Sequence, residues 1–403
     1  MLLVLFLLVS AAPAVTFEQL NIELPVWLAA HETNLLYIII CVGLLLCWFF
    51  YNSREFILLL ILGVCAWGLQ RYIWQGNLTT GQKDLLFDLI TLLLPLNFLV
   101  INLMSERGLW NRYGLRRLVF VAVEIAVITW LANSPQKEIA AFLDQSYLAW
   151  RFLDNTVISQ TALASMVISA VFILGYCALR PGHLQAGRLF ALAAVIAALH
   201  FIENRELSLL YFNLGALVLI LTTVIHAYHL AYRDELTRLP SRRALRQQLL
   251  ALGKTYALAM VDVDHFKKLN DTYGHDVGDD VLKLLATLLR QVAGGGRAYR
   301  YGGEEFTIVF AGKTASEARI YLEALCNTIA NTPFIIRHKK RPRKKPEKRA
   351  RHAGSKQLKV TVSIGVAENT PAHGSYQDVI KAADNALYKA KKAGRNKVAM
   401  SNE

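Results

Sequence analysis

The sequence predicts two parts of different fold class: a membrane-embedded all-α helical bundle of about seven spans, followed by an α/β domain with a mainly antiparallel sheet flanked by helices. Hydrophobic residues make up 54% of the 403 residues, more than a wholly soluble protein carries. The excess lies before residue 230, whereas the rest alternates buried strand patterns with amphipathic helices. We therefore predict a multi-span region over residues 34–230 and a soluble domain over residues 232–403.

Seven long apolar runs make up the multi-span region. Most approach the roughly 20 residues that a helix needs to cross a bilayer. The runs cover residues 34–51, 55–74, 84–104, 117–133, 157–179, 187–203 and 207–230. Residues 1–14 form a further apolar segment ending in Ala12-Pro13-Ala14. That segment fits either a cleaved signal peptide or an additional retained segment.

Arginines crowd two of the short connections between these runs. Four of them lie in residues 105–117, and Arg180 and Arg188 flank residues 180–188. Because positively charged loops stay in the cytoplasm, we expect both connections to face inward. Seven spans then place the N-terminus outside and the C-terminal domain in the cytoplasm.

Six polar or ionisable residues fall inside the predicted spans, where such groups are costly and often functional. They are Asp88, Asn97, Glu124, His200, His226 and His229. Two interpretations remain open. These groups either pair between helices and meet headgroups, or they sense a ligand, proton or metal, with Glu124 as the foremost candidate.

Most of the net charge of +14 comes from one segment, residues 337–359, which carries twelve Lys or Arg and one acid. Its Pro342 and Pro346 and its self-repulsion predict an extended basic insertion. The insertion is either inert or in contact with anionic lipid beneath the membrane. Nucleic acid is not an expected partner, because no aromatic side chains interleave with the charges.

The soluble domain alternates strands and helices. Strands are predicted at residues 256–263, 297–301, 306–310, 359–366 and 397–400. Helices are predicted at residues 241–252, 279–292, 315–331 and 376–392, the first with Ser241 as its N-cap. Residues 271–278 are expected to form a polar connection.

Acidic residues gather at two points of this domain. Asp262 ends the first strand, and Glu304 and Glu305 follow the Gly-Gly turn at residues 302–303. Carboxylates at a strand end and on a neighbouring hairpin suit Mg²⁺, which binds few carboxylates together with substrate phosphates. Neighbouring residues on an extended backbone point to opposite faces, so Glu304 and Glu305 are not expected to share one role. Asp264 is expected to cap the next helix.

Five motifs in order resemble a known family. Residues 302–306 read GGEEF after Arg300-Tyr301, and residues 234–239 read DELTRL. The others are DVDHFKKLNDTYGHDVGD at 262–279, VSIGV at 362–366 and DNALYKAKKAGRN at 384–396. Together they resemble the GGDEF-domain diguanylate cyclases in their GGEEF variant, which implies a nucleotidyl-cyclase-like fold. Ser241 stands where that family more usually has Asn.

The resemblance implies a magnesium site and a pair of catalytic acids. Asp262, the backbone carbonyl of Val263 and Glu304 would bind about two Mg²⁺ ions, with Mn²⁺ as an alternative metal. Glu304 and Glu305 would be the catalytic acids, the role of Glu305 being the less direct.

The resemblance also implies a GTP site. Asn270 and Asp279 would bind the guanine edge, with His275 nearby, because a carboxylate accepts from the N1–H and amine of guanine. Three cations would neutralise the triphosphate, a group that Lys and Arg suit. They are Lys267, Lys391 and Arg395.

The implied reaction condenses two GTP into cyclic di-GMP and two pyrophosphate. Since one domain holds one GTP, the active unit would be a homodimer, most simply a C2 dimer. The protein would be a multi-pass enzyme of the bacterial inner membrane, regulated through its spans. The alternative is a catalytically silent receptor for GTP or cyclic di-GMP. One departure from the family is that Ala293 and Gly296 stand where an Arg-x-x-Asp product-inhibition motif is usual.

Overall fold

A computed structural model describes residues 32–76, 78–133, 137–143, 145, 147, 156–336 and 357–402. Within them the chain forms two compact units, and the division falls between Ala227 and Tyr228. The predicted apolar segment at 1–14 lies outside the described residues, as does the basic insertion up to residue 356.

The described part of the N-terminal unit is helical. The first four helices are α1 (Glu32–Phe49), α2 (Ser53–Gly68), α3 (Thr80–Leu103) and α4 (Arg112–Asn133). The next four are α5 (Lys137–Leu143), α6 (Gln160–Leu179), α7 (His183–His200) and α8 (Arg205–Tyr232). A π-helical turn, Leu69–Trp74, continues α2. Apolar side chains such as Leu62, Phe98 and Phe212 are fully buried between the helices.

Five described helices are long and apolar enough to cross a membrane. They are Ser53–Trp74, Thr80–Leu103, Gln160–Leu179, His183–His200 and Arg205–Tyr232. By length and composition, the described helices therefore supply five candidate membrane spans and not the predicted seven. In α1 the apolar stretch is only Asn34–Phe49. In α4 every stretch of 18 residues contains Arg116, Arg117 and Glu124, so the helix is too charged.

Two groups of paired polar side chains lie inside the N-terminal unit, in addition to the one that Arg117 forms with Ser53. Asn97 donates to Glu124 at 2.7 Å, as expected for pairing between helices. The second group was not anticipated. Arg188 donates from Nε to Glu55 at 2.9 Å and from Nη1 to Asn102 at 2.9 Å, and Arg188 and Glu55 are both fully buried. This group of three side chains joins the start of α2, the end of α3 and the start of α7.

The C-terminal unit begins with α9 (Arg242–Ala251) and contains a five-stranded mixed sheet. Its strands are β1 (Tyr256–Val263), β2 (Arg297–Gly302), β3 (Glu305–Ala311), β6 (Val362–Glu368) and β7 (Val398–Met400). The strand order is β2-β3-β1-β6-β7, and all pairs are antiparallel except β6 with β7. The predicted sheet flanked by helices is confirmed, with one parallel pair at the β7 edge. Strands β4 (Phe334–Ile335) and β5 (Gln357–Leu358) form a separate pair.

Four more helices complete this unit. They are α10 (Phe266–Tyr273), α11 (His275–Arg290), α12 (Ala315–Asn331) and α13 (Tyr376–Lys392). The prediction of a polar connection over residues 271–278 was wrong, because α10 and α11 are separated only by Gly274, whose φ of +85° suits glycine. Only Phe266 and Leu269 are buried on α10, so the hydrophobic period that marks a helix is too short to be read.

The central strand β1 is buried on both faces, and its alternation fixes what each face meets. Val261 and Val263 pack in the core that α11 and α12 cover, whereas Leu258 and Met260 pack in the core that α9 and α13 cover. Because side chains alternate along a strand, Asp262 continues the row of Met260 toward α9 and α13.

Candidate active site

The acids meet at the ends of β1 and β3. Asp262 is the register partner of Glu305 on β3 and of Ser363 on β6. Directly opposed residues on neighbouring strands share a face, so Asp262 and Glu305 lie side by side. Glu304 lies in the turn before β3, after Gly303 with its φ of +22°. The structure therefore separates Glu304 from Glu305 in position, and both remain next to Asp262.

Lys391, near the end of α13, reaches the buried end of this group. Its Nζ lies 2.8 Å from Oδ1 of Asp262, whose side chain is 7% exposed. Burial raises the pKa of Asp262, and the charges of Asp264 and Asp384 raise it further, whereas Lys391 opposes the shift. One ammonium group therefore does not compensate the negative charge of the site.

The pKa values of Glu304 and Glu305 are raised in the same way as that of Asp262. Burial raises the pKa of Glu304, and repulsion from Asp262 adds to the effect. The pKa of Glu305 is raised by burial, then by Asp262 and Asp384. Half-buried carboxylates that repel one another gain from a bound cation, which favours their ionised forms.

These acids fit Mg²⁺ as a ligand set that is completed by substrate. Among the described residues, no group of three His, Cys, Asp or Glu side chains forms a ready-made metal cage. Mg²⁺ does not need one, because it usually takes one or two carboxylates and fills its octahedron with water and phosphate oxygens. The carboxylates of Asp262 and Glu304 would hold it, together with the backbone carbonyl of Val263 at the end of β1. Asp262 would then exchange Lys391 for the metal.

The side chain of Asn270 packs closely against Gly278 of the next helix, which has no side chain in the way. It lies on α10, and a Cβ added to Gly278 on α11 would stand 1.9 Å from its Oδ1. That oxygen is buried and, within the described part of the chain, has no hydrogen-bond partner. Buried polar atoms without partners are uncommon and call for an explanation. A guanine that binds between α10 and α11 and donates to this oxygen would be such an explanation.

The remaining predicted GTP residues lie on solvent-exposed positions of the same unit. Asp279 and His275 occupy the first turns of α11, and Lys267 lies on α10. Arg395 follows α13 with a φ of +64°, and its backbone N–H donates to Ala390. Exposed side chains of this kind are free to rotate onto a ligand. The structure shows no contact between these four and Asp262.

Asp264 does not cap α10, so that expectation was wrong. Its two carboxylate oxygens accept from Thr361 at 2.7 Å and Ser363 at 2.6 Å, and from the backbone N–H of Asn396 at 3.1 Å. The residue between Asp264 and the helix, His265, has a left-handed backbone that turns the carboxylate away. Asp264 instead fastens the strand end to β6 and to the segment after α13.

A second ion pair fixes the turn of the GGEEF motif, residues 302–304, which is called the signature turn below. Arg300 on β2 donates from Nη1 to Asp234 at 2.8 Å and from Nη2 to the carbonyl of Gly303 at 2.6 Å. Asp234 also accepts from the backbone and the hydroxyl of Thr237. Asp234 and Arg300 stand in two separate motifs that are 66 residues apart, and neither motif by itself predicts their contact. Their opposite charges are the one signal that could have suggested it.

The turn that replaces the product-inhibition motif has little room for the aspartate of that motif at residue 296. Gly294 and Gly295 have φ values of +71° and +76°. A Cβ on Gly296 would stand 2.7 Å from the ring of Phe310. An aspartate at residue 296 would therefore require Phe310 to move.

Residues 231–397 match the family model described as diguanylate cyclase, GGDEF domain. The C-terminal unit is a GGDEF domain. Curated relatives of this domain include the response regulator PleD of Caulobacter vibrioides, 34% identical over 181 residues, which are 43% of this chain and 37% of PleD. The diguanylate cyclase VdcA of Vibrio cholerae is 36% identical over 169 residues, 41% of this chain and 45% of VdcA. The chain thus spans less than half the length of these relatives.

A solved structure is similar over the same part of the chain. The GGDEF domain of DgcB from Caulobacter crescentus, in complex with c-di-GMP, is 35% identical. The match covers 43% of this chain and 94% of the DgcB domain, with a TM-score of 0.36.

Proposed function

We propose that this chain is a membrane-bound diguanylate cyclase that condenses two GTP into cyclic di-GMP and two pyrophosphate. The observation that carries the proposal is the group of Asp262, Glu304 and Glu305 at one end of the sheet, with Lys391 at 2.8 Å from Asp262. Relatives with diguanylate cyclase names, at about 35% identity, support the same activity.

Each half of the reaction joins two nucleotides. The 3′-hydroxyl oxygen of one GTP attacks the α-phosphorus of the other, a P–O bond forms, and pyrophosphate leaves. Bound Mg²⁺ would stabilise the leaving group and lower the pKa of the attacking hydroxyl. Asp262 and Glu304 would hold that metal. Lys391, released from Asp262, and Arg395 and Lys267 would neutralise the triphosphate, a group that cations suit.

Guanine selectivity would come from α10 and α11. Asn270 offers both a donor and an acceptor, and Asp279 accepts from the N1–H and the amine of guanine. An adenine has no such pair of donors at that edge. His275 lies one turn before Asp279 on the same helix, where it can contact the ribose or base.

One domain would hold one GTP, so catalysis needs a second copy of the chain. The simplest arrangement is a C2 dimer in which two signature turns face each other. Helix α8 ends at Tyr232, two residues before Asp234, and leaves no separate stalk between the spans and the domain. We propose that the spans, residues 34–230, deliver the regulatory input and hold the domain, residues 232–403, at the cytoplasmic face of the bacterial inner membrane.

The test is turnover by the purified full-length protein in detergent with GTP and Mg²⁺. We expect cyclic di-GMP and pyrophosphate at a molar ratio of one to two, and a specific activity that rises with protein concentration, as a dimer requires. GTP binding without either product would instead establish the silent receptor, the second candidate. Omitting Mg²⁺ is the matched control.

A further inference from the structure

A large cleft on the GGDEF domain lies on the side of the sheet that α9 and α13 cover. Its volume is about 840 Å³, which is in the range of small-molecule and nucleotide sites. Neither Asn270 nor Asp279 lines it. It is therefore separate from the guanine pocket of the proposed function.

Four basic side chains surround the cleft. Arg242, Arg243 and Arg246 lie on the first two turns of α9, and Lys381 faces them from α13. All four are exposed, and within the described ranges none forms an ion pair. Arg242 and Arg246 are four residues apart on one helix, where like charges destabilise the helix. An anion between α9 and α13 would remove that repulsion.

The lining also offers an aromatic ring and apolar side chains. The guanidinium of Arg242 lies 4.4 Å from the ring centre of Tyr301, a contact that holds one cation in place. The floor includes Leu249, Met260 and Ile380. Guanidinium groups bind phosphate through paired hydrogen bonds, and an apolar floor suits a base. A phosphate-bearing nucleotide matches both features.

The inner end of the cleft is the acid group itself. Glu305 and Asp384 line the cleft, and Glu305 is the register partner of Asp262. A ligand here would touch the catalytic end of the sheet from the side opposite α10 and α11. Its phosphates would lie toward the arginines, since the two carboxylates repel them.

We propose that this cleft is a second nucleotide site, which binds a phosphate-bearing guanine nucleotide through Arg243, Arg246 and Lys381. Two sources share that chemistry, namely GTP and cyclic di-GMP. Binding here does not depend on turnover. Only the choice of guanine nucleotides rests on the proposed function.

The experiment is equilibrium dialysis of the full-length protein in lipid nanodiscs. One arm uses a radiolabelled GTP analogue with a methylene bridge between the α- and β-phosphorus, and the other uses radiolabelled cyclic di-GMP. The variant R243A/R246A/K381A is compared with K254A/K313A/R319A, which removes the same charge outside the cleft. Alanine favours the helical state at these positions, so α9 and α13 are retained.

We expect the cleft variant to weaken one class of sites at least about tenfold, a loss of about 1.4 kcal/mol, in the arm that carries the true ligand. The matched control should bind like wild type. The Asp279→Ala variant should keep binding in the cleft and lose binding in the guanine pocket. Its retained binding shows that the domain is still folded. The single variant Arg246→Ala should give a smaller loss in the same class.

Equal binding by wild type and the cleft variant in both arms would overturn the proposal. A single class of sites that Asp279→Ala abolishes would overturn it as well. Failure of the cyclase activity alone would leave the two classes of binding sites unchanged, so the two proposals fail separately.

Discussion

Arg300 donates to Asp234 at 2.8 Å, and the same guanidinium donates to the carbonyl of Gly303. Asp234 comes two residues after the end of α8, and Gly303 is the residue before Glu304. One side chain thus connects the start of the GGDEF domain to the turn that presents its acids. A change at the start of the domain therefore has a direct physical route to the turn that carries Glu304.

We expect Asp234→Asn to lower the free energy of unfolding by about 1 kcal/mol, the value of a partly exposed ion pair with its hydrogen bonds. Burial alone would raise the pKa of Asp234, but the hydrogen bonds from Thr237 and Arg300 outweigh it and hold the pKa below its usual range. A depressed pKa contributes stability above the unfolded value near 3.9. The difference in unfolding free energy between wild type and the variant should therefore be constant from neutral pH down to about pH 5. It should shrink below about pH 4, where Asp234 of the wild type becomes protonated. Melting temperatures of both proteins across this range test it, and a deficit that grows at acid pH would contradict it.

Lys391 should matter for turnover and its neighbour should not. Replacing Lys391 with Met removes the cation that, once released from Asp262, would form a charged hydrogen bond to the triphosphate. Such a bond contributes about 1.5–3 kcal/mol, so kcat/KM for GTP should fall roughly 10- to 150-fold. Lys392→Met is the control, because Lys392 is exposed and lies over the ring of Tyr388. Similar kinetics for the two variants would refute the role of Lys391.

Glu304→Gln should abolish cyclic di-GMP synthesis while the chain stays folded and inserted in the membrane. The change keeps the size of the side chain and removes one charge from the proposed metal site. Loss of a transition-state contact of this kind costs about 10²- to 10³-fold in rate. Retention of more than about a tenth of the wild-type rate would exclude Glu304 as a metal ligand. Circular dichroism and membrane fractionation provide the folding control.

Gly278→Ala should act through Asn270. The added Cβ would stand 1.9 Å from Oδ1 of Asn270, so the amide must leave its position. We expect KM for GTP to rise about tenfold or more with little change in the content of secondary structure. Gly253→Ala is the control, because nothing lies within 4 Å of its Cβ. In the background Asn270→Ala, Gly278→Ala should add little, and additive losses would show that it acts elsewhere.

The residues of the acid group could be predicted from sequence because they stand in contiguous motifs with a local meaning. Asp262 ends a buried apolar strand, and Glu304 follows a Gly-Gly turn, so both follow from neighbours in the chain. The partners of Asp264 and Arg300 could not be predicted in this way. They lie as far away as Asn396 and Asp234, and only the folded sheet brings them together.

The same limit applies to the N-terminal unit. Hydropathy identifies apolar runs, yet it cannot identify the buried pair of Arg188 and Glu55, because in the sequence Arg188 stands at the edge of a charged connection between two runs. Hydropathy also does not decide whether α4 crosses the membrane, since the helix contains Arg116, Arg117 and Glu124. A contact between distant helix ends carries information that composition lacks.

That contact bears on how the chain crosses the membrane. Arg188, at the start of α7, binds Glu55 at the start of α2 and Asn102 at the end of α3. Residues 104 and 180 therefore lie at the same end of the unit. Helix α6, with 20 residues, leads from the opposite end to residue 180, so the chain must first have crossed between residues 104 and 160. Helix α4 has 22 residues and a length of about 33 Å, enough for that crossing.

We therefore predict that α4 crosses the membrane although its composition falls short. A reporter active only in the cytoplasm should work after Glu403 and within residues 105–111, and should fail within residues 134–156. If α4 did not cross, residues 105–111 and 134–156 would lie on one side and both reporters would give the same signal. The fusion after Glu403 reports the side of the C-terminal domain, and membrane fractionation of each fusion shows that the protein is inserted. Arg107→Ala in the 105–111 fusion shows whether that loop needs its charge to stay inside. Equal signals from 105–111 and 134–156 would contradict a crossing by α4.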